Sequence, residues 1–168
     1  MKKEKKIATA GGFIVGFIVD FIIWNLIISL LVNIVIALVA AAIPSLSTII
    51  GIINVPLCAW LMFYVATRRT FSSKKLESKN EKNVFIGISI IIVLFALGQF
   101  GFSYSNLMSE LNNPLNFIPS SVRGEVITQG IILLVLQCIA ILLIIPAERI
   151  WIKKRCIENE MINEIEMS

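Results

Sequence analysis

The sequence predicts an all-α polytopic membrane protein with four transmembrane helices and both termini on the cytoplasmic side. Residues 21–67 carry no charged side chain, and residues 83–109 and 126–147 repeat that pattern. Hydrophobic residues make up 57 % of the chain and charged ones 15 %, whereas soluble domains sit near about 45–50 % and ~25 %. Once four spans are drawn, fourteen of the fifteen Lys and Arg fall on one side, which the positive-inside rule makes cytoplasmic. In lipid every backbone polar group must be bonded internally, so the spans are helices; four strands cannot close a barrel.

The basic start, Lys2 to Lys6, resembles that of a signal peptide, and Ala40 to Ala42 supplies an Ala-x-Ala triplet. The apolar run between them is far longer than the ~7–15 residues of a cleaved signal, so it is expected to stay as an anchor. The first span covers about residues 12–42 and ends before Pro44, which cannot continue a helix. Ser45 or Ser47 can cap the second. That span covers about residues 48–67 and stops at Arg68-Arg69. Residues 70–82 read as a polar, solvated loop.

The third span covers about residues 84–104, and the fourth runs continuously over about 122–147. Between them lies an outer loop read as resting on the membrane, with a lid over a pocket as the alternative; Leu107, Leu111 and Leu115 have the spacing of a short interfacial helix that Pro114 would interrupt. Residues 1–155 thus form one four-helix transmembrane domain. Residues 156–168 form an amphipathic acidic tail, with Ile157, Met161 and Ile165 on one face. Tyr64, Tyr104 and Trp151 fall at span ends, where interfacial aromatics gather.

From Ile7 to Ile43 the first helix would be ~55 Å long, more than a bilayer core of ~30 Å needs. Either residues 7–19 lie along the interface, or a long helix carries Asp20 into the membrane. Asp20 is the only ionisable residue within an apolar block, and such residues mark ion or proton paths. Ala8, Gly12 and Gly16 lead to it at four-residue spacing, a small-residue stripe suited to close helix packing.

Asn25, Asn33, Asn54, Gln99 and Gln137 either line a polar pathway with Asp20 or hydrogen-bond across helices. Gln129 belongs to the same class. Pro56 should kink the second helix and free a carbonyl that needs a partner, with water as one candidate. Gly98 and Gly101 suggest either another close contact or a flexible end of the third helix.

Several function classes are excluded by what is missing. There is no His, which removes the commonest general base and metal ligand. Cys58, Cys138 and Cys156 form no CxxC, and no metal or cofactor is expected. Gly-rich phosphate loops, HExxH and GxSxG are absent. No two carboxylates can be assigned to one site. The expectation is no catalytic residue and no enzyme. The net charge of +4 belongs to the membrane topology, not to nucleic acid.

Two functions follow. The first is a non-catalytic accessory or interaction subunit of a membrane complex, its partners being the bilayer and either another membrane protein or further copies of itself. The second is a small ion- or proton-coupled transporter or channel using Asp20. Four spans with an acid in the first resembles the small multidrug-resistance transporters. That resemblance covers Asp20 and the span count; the longer chain, larger loops and single orientation depart from it. Uncleaved insertion without an organelle signal points to a bacterial plasma membrane.

Overall fold

The computed structural model describes residues 6–43, 47–113 and 119–167, without the side chains of Lys6, Ile7, Ala40, Ser47, Thr48, Ile49, Gly51, Ser120, residues 159–160 and residues 162–167. The chain is almost wholly helical, as its apolar composition requires. Strand β1 (Lys6–Ala8) leads into α1 (Ala10–Ala42), and α2 (Ser47–Ser73) returns to strand β2 (Lys74–Leu76). A 3-10 turn (Ser78–Asn80) opens α3 (Glu81–Asn112), followed by α4 (Ser120–Leu142) and α5 (Ile144–Met167). Three stretches are long and apolar enough to cross a membrane: Ala10–Val39, Ser78–Asn112 and Ser121–Glu158. The expected break at Pro44 and Ser45, and Pro114 to Ile118 of the outer loop, lie outside the described residues.

Residues 70–82 are not a solvated loop. Helix α2 continues through Thr70 to Ser73, and β2 pairs in parallel with β1, Lys6 opposite Lys74 and Ala8 opposite Leu76. Parallel strands need a long crossover, and the α1–α2 hairpin supplies it. Thr70, Phe71 and Leu76 are buried there. Polar composition hid three buried residues beside the half-buried Lys74 and Lys75.

Helix α1 is unbroken from Ala10, with the Thr9 hydroxyl accepting from the Gly12 amide at 3.2 Å. This N-cap satisfies one of the first turn's free amides. The first turns run straight on into the rest of the helix, without a break at Gly11-Gly12. They pack into a collar at the end of the molecule where the basic residues collect. Phe13 meets Phe71 edge-on, with centroids 4.7 Å apart. Phe17, Val84, Ile88, Ile152 and Cys156 complete the core there. A Cβ on Gly87 would collide with Ile14, so α3 approaches α1 closely at that glycine.

Away from this end burial thins. Leu30, Leu31, Leu38, Leu94, Leu97 and Leu136 are exposed, the pattern of helices whose outer surfaces meet an apolar solvent. Helix α3 ends at Asn112, beyond the expected 104. Leu107 and Leu111 therefore belong to α3 and not to a separate interfacial helix. A Cβ on Gly130 would lie 2.6 Å from Leu107, which marks the close approach of α4. The Arg123 guanidinium donates to Asn112 Oδ1 at 2.5 Å. Gly98 and Gly101 face open space, so neither makes the contact expected of it.

The fourth apolar segment is not one helix. It breaks at Leu143, where α4 ends and α5 begins. Pro146 explains the break: it has no amide for the Leu142 carbonyl, and its ring crowds that turn.

Candidate functional site

Helices α2 and α4 exchange side-chain-to-backbone hydrogen bonds, one of them at the proline defect of α2. Pro56 cannot donate to the carbonyl four residues back, that of Ile52. Gln137 of α4 fills the gap, its Nε2 donating to Ile52 O at 2.9 Å. In return, Trp60 of α2 donates through its indole Nε1 to Ala140 O at 2.9 Å, one turn before the break at Leu143. The freed carbonyl needs no water, and Gln137 acts as a bridge between helices.

A measurable consequence follows. Replacing Gln137 by Leu leaves a buried carbonyl without its donor and should cost about 1–2 kcal/mol. In a Pro56→Ala background residue 56 regains its amide, so the same change should cost much less. Thermal unfolding of the four proteins in detergent checks this; equal costs in both backgrounds would show that Gln137 does not serve the Pro56 defect.

The other polar positions form short local links. Asn54 Nδ2 donates to Asn33 Oδ1 at 3.4 Å, and Cys58 Sγ donates to Asn54 Oδ1 at 3.2 Å. Ser29 donates to Asn25 Oδ1 at 3.2 Å. Gln99 is half-buried and Gln129 exposed, neither with a hydrogen bond among the described residues. Asp20, Asn25, Asn33, Asn54, Gln99 and Gln137 are not joined by these bonds into one chain.

The small-residue stripe receives a side chain and not a helix. Ala8 lies in β1, outside α1. The Lys74 ammonium donates to the Gly12 carbonyl, and a Cβ on Gly16 would collide with that ammonium. The bare backbone at Gly16 leaves room for the lysine to lie across α1, and a side chain there would push the ammonium aside.

One turn further along α1, the Thr70 hydroxyl donates to Asp20 Oδ2 at 2.8 Å. Thr70 follows directly on the exposed pair Arg68-Arg69, so Asp20 stands level with the band of positive charge.

Glu148 is the candidate residue that sequence reasoning missed. It lies just past the fourth apolar block beside Arg149, and looks like the start of a charged tail. In the structure it is 6 % exposed, and its Oε2 is buried without a hydrogen-bond partner among the described residues. The Thr67 hydroxyl interacts with its carboxyl while also reaching Phe63 O at 2.9 Å. Thr67 and Thr70 are fully buried neighbours one turn apart on α2. Two carboxyls therefore meet hydroxyls one turn apart on α2, Asp20 from α1 at Thr70 and Glu148 from α5 at Thr67. The signal in the sequence was the pair Thr67 and Thr70, spaced to present two hydroxyls on one face.

This polar layer closes the bundle where the collar begins, and a buried carboxyl with a free oxygen can bind a proton or a cation. No protein-family model, no curated protein and no solved structure matches the chain, so its functional reading rests on this geometry.

Proposed function

We propose that the chain is a four-span plasma-membrane protein with both termini cytoplasmic, acting by binding as a non-catalytic accessory or interaction subunit of a membrane complex. The carrying observation is the reciprocal Gln137–Ile52 and Trp60–Ala140 stitching: polar groups within the apolar segments hold helices together. Further support comes from Asp20, which is bonded to Thr70 beside the arginine pair. With the bilayer boundary at that level, residues 21–42 of α1 rise ~33 Å, close to the ~30 Å of a hydrocarbon core. The surplus length of the first helix then belongs to the aqueous collar. Residues 47–67 of α2 rise ~31 Å, which makes α2 the fourth crossing.

The second reading is a small ion- or proton-coupled transporter, and Glu148 is the observation that favours it. Proteoliposomes separate the two. The binding reading expects no proton, sodium or organic-cation flux above that of empty vesicles, with wild type, Asp20→Asn and Glu148→Gln alike. Flux in the wild type that either substitution abolishes would overturn it. The same reading expects that deleting residues 157–168 weakens co-purification of a membrane partner; partner yield unchanged by the deletion would count against the tail as the contact.

A further inference from the structure

We infer that the α2–α5 seam at the basic end carries a specific site for the phosphate of an anionic phospholipid, held between Arg68 and Arg155. The inference rests on the membrane reading above. Two helices present the same short motif side by side. On α2, Arg68 stands one turn beyond Tyr64 and donates through Nη1 to its phenol oxygen at 3.3 Å. On α5, Arg155 stands one turn beyond Trp151, its guanidinium 5.1 Å from the ring centroid. The two rings touch edge to face, with centroids 6.2 Å apart. Both helices run toward the basic end, so each arginine lies on the aqueous side of its ring.

This order fits a lipid. Tyr and Trp favour the headgroup boundary, where one part of the ring is apolar and the other wet. A guanidinium one turn further out stands at phosphate depth, and its planar fork suits phosphate oxygens. Arg155 already shares Nη1 with Glu158 Oε2 at 2.8 Å, which orients it and leaves its other N–H groups for the ligand. Arg68 is exposed, and its only partner among the described residues, the Tyr64 phenol, is neutral. The pair thus offers two held cations with unfilled donors, separated from the apolar zone by a wall of two aromatic rings. A soluble phosphate ester would leave that wall unused, whereas a phospholipid covers it with its glycerol and first acyl carbons.

The test uses the full chain with Trp24→Phe and Trp60→Phe, which makes Trp151 the sole tryptophan. It is reconstituted with brominated phosphatidylglycerol or brominated phosphatidylcholine, whose bromines quench an indole on contact. Phosphatidylglycerol should bind at Trp151 about tenfold more tightly, from roughly fivefold per near-surface cation less the share of Arg155 held by Glu158. Arg68→Gln with Arg155→Gln should bring the ratio to near one. Arg69→Gln with Lys154→Gln removes equal charge from the same belt and should keep most of the preference.

Equal quenching by the two lipids in the parent overturns the site and leaves the membrane reading standing. Absence of quenching by either lipid overturns both. Displacement of the lipid by millimolar inorganic phosphate overturns the lipid assignment in favour of a soluble ligand. Should the tryptophan variants fail to fold, native mass spectrometry of the wild type reads the same question. It should retain phosphatidylglycerol over phosphatidylcholine, and the Arg68→Gln, Arg155→Gln protein should retain neither preferentially; identical retention by the two proteins overturns the site.

Discussion

Ile152→Ala should destabilise the protein by about 2–5 kcal/mol, the range for truncating a fully buried isoleucine, while Ile141→Ala should cost about 2 kcal/mol less. Both side chains are fully buried and both substitutions remove the same atoms. What differs is the solvent on the other side of the balance. Ile152 belongs to the collar beyond Glu148, where the unfolded side chain meets water. Loss of its methyl and methylene groups therefore forfeits transfer free energy, ~0.8 kcal/mol per carbon, in addition to the cavity. Ile141 lies within the apolar segment, where lipid is as apolar as the core and only packing is lost. Denaturant or thermal unfolding in bicelles checks the pair. If Ile141→Ala proves as costly as Ile152→Ala, then α4 does not have lipid as its solvent.

The second large effect has the opposite sign. Glu148→Met should stabilise the protein by about 1–3 kcal/mol, the desolvation cost of a buried polar group that lacks a partner. The gain comes from Oε2, the oxygen without a partner among the described residues, and is offset in part by the lost contact with Thr67; Met keeps the length of Glu and presents no oxygen. Thr67 loses nothing essential, because Phe63 O still takes its hydroxyl proton. The measurement is the midpoint of thermal unfolding in one detergent. A lowered midpoint would mean that the carboxyl has a favourable partner in the protein as purified, a bound cation for instance, and would turn the balance toward the transport reading. A raised midpoint would identify Glu148 as a position where stability is given up, and such positions belong to function more often than to architecture.

Helix positions were the most legible part of this sequence, because charge-free length alone reveals where water cannot be the solvent. Proline chemistry was half legible. Pro56 signalled a freed carbonyl, but Gln137 lies far along the chain and no local pattern ties it to Ile52. Pro146 carried the same message for Leu142 and was masked by the continuous apolar run around it. Short strands were illegible: three residues of β2 hold two lysines, and only the fold shows that Lys74 lies across Gly12 and Gly16. The glycine stripe was read as a seam for a second helix, whereas the Lys74 side chain lies against Gly12 and Gly16. At the candidate site Asp20 stood out because it interrupts an apolar block. Glu148 did not, since a charge among charges announces nothing until burial is known.

The pairing of β1 with β2 bears on how the chain is made. Residues 6–8 and 74–76 are joined by the α1–α2 hairpin, and in a bilayer their strands can meet only if the chain has passed through it an even number of times between them. A nascent chain whose second helix stalled would strand the two segments on opposite faces, with their amides unmatched. On the four-span reading the clasp can close only in a correctly threaded molecule, and slow exchange at the amides that pair across the two strands would mark such molecules.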